Sequence, residues 1–298
     1  MTSVRTATLV GSAALALWSS LAVLTTATGG APPFQMVGLT FGLAALIGIA
    51  VQMVKGLNPL DRLRQPVGTW LLSVGGLFGY HALYFLALKA APAIEANLIN
   101  YLWPLLIVLG SGLLPGHHLT ARAVLGAVMG FVGAALLMGG AQFDPVFWKG
   151  YLAAAACAFV WAGYSVGNRL FAQVPSDAVT GFCAVTALLA FGLHFGFESW
   201  VAPSFSEWLA LAAMGLGPVG AAFFVWDYGM KHGDVRTLGT LAYATPLAST
   251  LWLWVFGKGQ LTLTVLAATI LIVGGAAVGS GLKLKGLKAL GASCPDGG

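Results

Sequence analysis

In the stretch "NLINYLWPLL" (97–106), Asn97, Asn100, Tyr101 and Pro104 recur at i, i+3, i+4 and i+7, which puts them on one face of a helix. The run from Ala96 to Leu114 is otherwise apolar and long enough to cross a bilayer. Amides and a phenol in such a run suit non-covalent work. They hold a polar solute by hydrogen bonds, or they join helices at about 1 kcal/mol per contact. Pro104 favours the first use. It has no N–H and clashes with the carbonyl of Asn100, so the helix is expected to kink and leave that carbonyl free. A free carbonyl at membrane depth is tolerated only against protein or a watered cavity. Pro246 repeats the device and is expected to free the carbonyl of Ala242.

Aromatic residues extend the candidate site. Tyr80, His81 and Tyr84 cluster in one apolar run, and Trp18 and Trp161 sit mid-run, too deep for an interfacial belt. Cys157, Trp161, Tyr164, Ser165 and Asn168 share a face, and Tyr243 adds a phenol. A single buried Trp or Tyr more often packs than binds. Together these residues suggest an aromatic-lined pocket, with stacking and cation–π contacts worth about 0.5–2 kcal/mol each. The candidate binding set is therefore Trp18, Tyr80, His81, Tyr84, Asn97, Asn100, Tyr101, Trp161, Tyr164 and Tyr243, with Pro104 and Pro246 as kinks that gate it. His81 has two open readings, a functional ionisable group or a hydrogen-bonded core histidine. Asp227 and Lys231, at i and i+4, read as a local salt bridge. Glu95 falls near a run end, and Glu198 and Glu207 at the periphery. The first run has no carboxylate, which a small cation/proton antiporter would need.

These residues must be positioned by membrane helices. Of 298 residues, 58% are hydrophobic and 8% charged, and mean hydropathy is +0.88. So few charges cannot make a soluble shell, since soluble domains carry about 25%. Ten runs of spanning length are read at 6–26, 33–54, 67–89, 93–114, 119–140, 150–171, 178–198, 207–230, 235–256 and 261–282. Turn chemistry such as "GGAPP" (29–33), "GLNPLDRLRQP" (56–66) and "VPSD" (174–177) separates them. With the N-terminus on one side, that side holds 11 Lys and Arg residues and the other holds Lys89, Lys149 and Lys258. This asymmetry puts both termini in the cytoplasm. Cys157 and Cys183 lie in apolar runs and Cys294 in the tail, without metal-ligand or disulfide spacing.

The chain also repeats itself. "YFLALKAAPAIEANLINYLWPLL" (84–106) lies over "WDYGMKHGDVRTLGTLAYATPLA" (226–248) at an offset of 142, pairing Lys89 with Lys231, Tyr101 with Tyr243 and Pro104 with Pro246. Trp18 matches Trp161 at 143, and "VGAALL" (132–137) matches "VGGAAV" (273–278) at 141. Recurrence of Trp18 also argues that the first run is a span and not a cleaved leader. Five runs per copy is odd, so the second copy enters the membrane inverted. Inverted repeats are a transporter signature, with the substrate site at the repeat interface. The expected fold is all-α: ten transmembrane helices as two inverted five-helix repeats (1–142 and 143–283) around a central cavity, then a short cytoplasmic tail (284–298).

A ten-run chain with "LALWSS" in its first run and "EANLINYLWP" in its fourth resembles the drug/metabolite transporter superfamily, EamA type, and within it the YddG-type aromatic amino-acid exporters. The resemblance implies a basket of ten helices in the inner membrane that exports amino acids, aromatic ones included. His81 departs from it, since some relatives carry a carboxylate there, and the coupling ion stays open. The alternatives are an exporter of paraquat-like organic cations and, from another class, an intramembrane enzyme or a scaffold. No Walker motif, zinc spacing or nucleophile triad occurs, so no enzyme activity, cofactor, metal or nucleic-acid partner is expected. The expected partners are small-molecule substrate and lipid. A monomer is expected, with dimerisation through the glycines of the fifth and tenth runs as the alternative. Cysteines placed near Gly29, Ala141 and Gly259 are expected to react with an impermeant maleimide in intact cells, and those near Arg62, His117 and Ser176 to stay unlabelled. The opposite pattern would reverse the orientation.

Overall fold

The computed structural model describes residues 3–116, 118–139, 142–257 and 262–280. His117, Lys258, the basic residues Lys283, Lys285 and Lys288, and the tail 284–298 lie outside these residues. The described residues form helices and no strand. In order they are α1 (Val4–Ser19), α2 (Leu21–Thr26), α3 (Pro33–Val54), α4 (Pro59–Arg62), α5 (Val67–Ala90), α6 (Ala93–Asn100), α7 (Trp103–Ser111), α8 (Ala121–Met138), α9 (Trp148–Gly167), α10 (Val179–Phe197), α11 (Phe205–Leu216), α12 (Ala222–His232), α13 (Val235–Leu241), α14 (Ala244–Val255) and α15 (Leu263–Ser280). Eight helical stretches are long and apolar enough to span a bilayer. The ninth expected run is helical but divided into α13 and α14, and the tenth, α15, is apolar but shorter.

Helix starts follow local chemistry. Ser3, Thr120, Ser204 and Asp234 each accept a backbone N–H at the head of a helix, and Ser204 with Glu207 completes a capping box. Pro33, Pro59 and Pro104 stand in the first turns of α3, α4 and α7, where a missing N–H costs nothing.

Four of the expected runs are interrupted. The first turns at Ser20, after Ser19 and Ser20 bond back to the carbonyls of Ala16 and Leu17. The fourth breaks at Tyr101–Leu102, and the ninth at Ala242–Tyr243. The eighth widens into a π-turn over Gly217–Ala221 around Pro218. The kinks expected before Pro104 and Pro246 are therefore present. The carbonyl of Ala242, however, is not free: it accepts the N–H of Thr245 at 3.0 Å, because the chain tightens to an i→i+3 bond across the break.

Packing pairs helices from the two halves of the chain. α3 lies along α10, α8 along α15, α5 along α9 and α1 along α12. Small residues allow the close contacts. A side chain at Gly126 would strike the backbone of Gly275 and Gly279, and one at Gly11 would strike Gly229. Of the glycines in the fifth and tenth runs, Gly126 and Gly275 meet each other's backbone between α8 and α15, Gly130 faces Tyr243 and Gly279 faces Thr240. By contrast Gly75, Gly192 and Gly196 face open space. Gly126→Leu is expected to destabilise the bundle by about 1–3 kcal/mol through overpacking, read as a lower melting temperature of detergent-solubilised protein. Gly75→Leu is expected to leave that temperature unchanged.

Candidate functional site

The interrupted helices surround a cavity of about 910 Å³, within the size range of small-molecule sites. Each of the four interruptions contributes to its wall: Trp18 and Leu21, Tyr101 and Trp103, Pro218 and Val219, and Thr245 and Pro246. The cavity opens between Thr25, Pro33, Lys89, Ala93 and Met138, which come from the last turns of α2, α5 and α8 and the first turns of α3 and α6.

Aromatic rings form its floor. Trp18 lies 5.0 Å from Trp226, 5.5 Å from Trp161, 5.9 Å from Phe223 and 6.4 Å from Trp103, by ring centroids. Its indole is fixed, because Nε1–H donates to the Pro218 carbonyl at 2.9 Å within the π-turn. Trp226 is held likewise by donation to Ser165 Oγ at 3.1 Å. Phe41 stacks on Phe223 at 5.3 Å and meets the edge of His81 at 5.1 Å.

One wall carries the polar groups. Tyr80 and Tyr84 stack in parallel at 6.0 Å. Tyr84 donates its hydroxyl to Asn97 Oδ1 at 2.6 Å, and Asn100 Nδ2 donates to the Tyr80 hydroxyl at 3.0 Å. The two asparagines thus orient the two tyrosines. His81 Nδ1 lies 2.7 Å from the Leu77 carbonyl, which can only accept. That nitrogen therefore carries a proton and is committed to the backbone. His81 is thus a hydrogen-bonded histidine, and its ring also lines the cavity. Thr245 adds a hydroxyl that has no protein partner among the described residues.

Of the residues chosen from sequence, Trp18, Tyr80, His81, Tyr84, Asn97, Tyr101, Trp161 and Pro246 line the cavity. Four do not. Asn100 is buried behind Tyr80. Tyr164 is buried beneath Trp161, against Gly76. Tyr243 turns away at the helix break and fills a second core with Val108, Leu247 and Ile272, over Gly130. Pro104 sits in the first turn of α7, behind the wall. Tyr101 and Tyr243 are repeat equivalents, yet only the first meets the cavity. Sequence reasoning missed Phe41, Trp103 and Phe223 in the lining, and Trp226 buried behind Trp18. Apolar residues in apolar runs give no sign of whether they face lipid, core or cavity. Only the aromatic spacing of "FFVWDY" (223–228) offered a hint.

The end opposite the mouth is sealed by polar contacts. Lys231 Nζ donates to Asp227 Oδ2 at 2.8 Å and to the Val174 carbonyl at 3.0 Å, and Ser176 donates to the same carboxylate oxygen at 2.5 Å. Both charged side chains are fully buried, so the salt bridge expected from their spacing is a buried one. Arg169 clamps the carbonyls of Lys231 and Gly233, and Thr8 Oγ1 accepts the N–H of Asp234. The peripheral acids also have partners. Glu198 accepts the N–H groups of Phe34 and Gln35 at the head of α3 and pairs with His194, and Glu95 accepts the N–H of Gln142.

The model of the EamA-like transporter family matches this chain twice, over residues 5–139 and 148–280. The chain belongs to that family. It is 52% identical over 276 residues to a protein of Ancylobacter novellus named aromatic amino acid exporter YddG, covering 91% of this chain and 96% of that one. It is 30% identical over 270 residues to a protein of the same name from Salmonella typhimurium, covering 84% and 87%. A crystal structure 52% identical in sequence superposes with a TM-score of 0.90 over 93% of this chain and 98% of that one. The two matches of the family model meet between α8 and α9, so the cavity is lined by both halves, while the seal comes from the second half with Thr8 of the first.

Asp227→Ala leaves the Lys231 ammonium buried without its counter-charge. It is expected to cost about 3–5 kcal/mol of stability, measured by thermal or denaturant unfolding in detergent, whereas Asp61→Ala at an exposed pair is expected to cost under about 1 kcal/mol.

Proposed function

We propose that this chain is a secondary transporter that exports amino acids, aromatic ones included, from the cytoplasm by alternating access. The observation that carries the reading is the cavity itself: rings for an aromatic side chain, with hydroxyl and amide groups of Tyr84, Asn97, Tyr101 and Thr245 at its polar wall. The names of the relatives from Ancylobacter novellus and Salmonella typhimurium point to the same substrates.

The proposed frame is ten spans in two inverted five-span repeats, at 1–142 and 143–283. Its support is a pattern in the packing. Shifting each helix by the repeat offset turns the α5–α9 pair into α12–α1 and the α7–α9 pair into α14–α1. The α3–α10 and α8–α15 pairs map onto themselves. A twofold axis in the membrane plane would produce this exchange. Because five spans are odd, such an axis puts the mouth of one half where the seal of the other stands.

The positive-inside rule places the Arg169–Lys231–Arg236 end in the cytoplasm and the cavity mouth outside, with both termini inside and the chain in the inner membrane. The structure then corresponds to the releasing state. Substrate leaves through the gap by Lys89 and Ala93, while the tryptophan floor and the Asp227–Lys231 pair bar the inner path. The kinked spans at Pro104 and Pro246 are the proposed pivots. Export needs the inner seal to open as the outer gap closes, so that one cavity faces each side in turn.

Purified protein in sealed liposomes is expected to exchange radiolabelled phenylalanine or tryptophan across the membrane. Trp18→Ala, Tyr101→Ala and Trp161→Ala are each expected to lower that flux at least about fivefold at equal incorporation, since each removes a wall contact worth about 1 kcal/mol or more. Flux at the level of empty liposomes with all twenty amino acids, together with flux of a quaternary ammonium probe, would instead favour the organic-cation reading. Normal amino-acid flux in two of the three variants would remove the site from the proposal.

A further inference from the structure

We infer that Lys89 binds the carboxylate of the transported amino acid, which takes the place that Asp227 fills for Lys231 in the second half of the chain. The inference rests on the export reading and names the group that recognises the substrate's acid.

Lys89 is the only residue with a permanent charge in the cavity wall, which holds no Asp, Glu or Arg among the described residues. It forms no ion pair among those residues. His81 cannot substitute as a donor from Nδ1, which is committed to the Leu77 carbonyl. An α-amino acid entering this cavity therefore finds one permanent cation for its carboxylate.

The repeat offers a worked precedent inside the same molecule. At the offset of 142, Lys89 corresponds to Lys231 and Phe85 to Asp227. Lys231 pairs with a carboxylate one helical turn before it, at 2.8 Å, and with the Val174 carbonyl. In the first half the same turn of α5 carries Phe85, and both Phe85 and Lys89 line the cavity. The second half thus supplies its own carboxylate and stays shut. The first half supplies a ring instead, and leaves its ammonium for a carboxylate from outside the protein. The substituted ring suits an aromatic substrate. Phe85 lies 5.8 Å from Phe34 and 6.0 Å from Tyr84, so a carboxylate held at Lys89 would have its side chain among rings. The substrate ammonium then needs no acid, because hydroxyl oxygens and ring faces receive it.

The test compares phenylalanine with phenylalaninol, which keeps the ring and ammonium but has a hydroxymethyl group in place of the carboxylate. Each competes, at neutral pH, for exchange of radiolabelled tryptophan in proteoliposomes. In the unaltered protein phenylalanine is expected to compete about tenfold to a hundredfold better, the worth of one charge-assisted hydrogen bond. Lys89→Gln is expected to abolish that preference, and Lys89→Arg to retain it. Phe85→Asp is expected to abolish it with Lys89 still present, by supplying the internal partner that Lys231 already has. Retention of the full preference in Lys89→Gln, or in Phe85→Asp, would overturn the assignment while leaving export intact. Absence of any tryptophan exchange in the unaltered protein would overturn the export reading, and this inference with it.

Discussion

Lipid offers no hydrogen bonds, so every backbone N–H and C=O that crosses it must be paired within the protein. That constraint organises the whole molecule. Regular helix satisfies it anywhere, but broken helix satisfies it only where other protein groups or a cavity stand beside the break. The turn at Ser20, the breaks at Tyr101–Leu102 and Ala242–Tyr243 and the π-turn at Gly217–Ala221 all lie around one cavity. The loose ends are taken up locally. Trp18 covers the Pro218 carbonyl, Ser249 donates to the Ser19 carbonyl, Thr250 donates to the Pro246 carbonyl, and Trp252 donates to Ser19 Oγ. The cavity is therefore built of the residues that repair the breaks, and its rigidity and its shape have one source.

Charge is distributed by the same logic. A lone charge in lipid is costly, so an ionisable group within a span needs a partner or an opening to water. Lys231 has the partner: Asp227, the Val174 carbonyl and the chain held by Arg169 make the sealed end. Lys89 has the opening, at the mouth of the cavity. Two equivalent lysines thus sit in opposite situations, one shut and one open. The proposed alternating-access cycle expects such a difference between the halves in any one state.

The two halves are packed against each other along their length. α3 meets α10, and α8 meets α15, glycine against glycine, so each half provides the surface that the other lacks. Association here cannot draw on the hydrophobic effect, because lipid is as apolar as leucine. Close backbone approach and side-chain fit carry it instead.

Properties that depend on composition and local chemistry were legible in the sequence. These include the apolar runs, the turns between them, the repeat, the kinks before Pro104 and Pro246, and the i, i+4 pairing of Asp227 with Lys231. Each follows from a few neighbouring residues, because a proline clashes with its own preceding turn and a carboxylate reaches a lysine one turn away. Polar residues in lipid-length runs also marked much of the cavity, since Tyr80, Tyr84, Asn97 and Tyr101 have no place against lipid. What only the tertiary structure decided is which way each side chain faces. Tyr101 and Tyr243 are equivalent in sequence, yet one lines the cavity and the other fills a core. Phe41, Phe223 and Trp103 form the cavity, while other aromatic residues such as Phe195 and Phe197 are exposed on the outside of the bundle. In a membrane protein the solvent and the core are both apolar, so the pattern that separates inside from outside in a soluble chain carries little contrast, and packing alone makes the assignment.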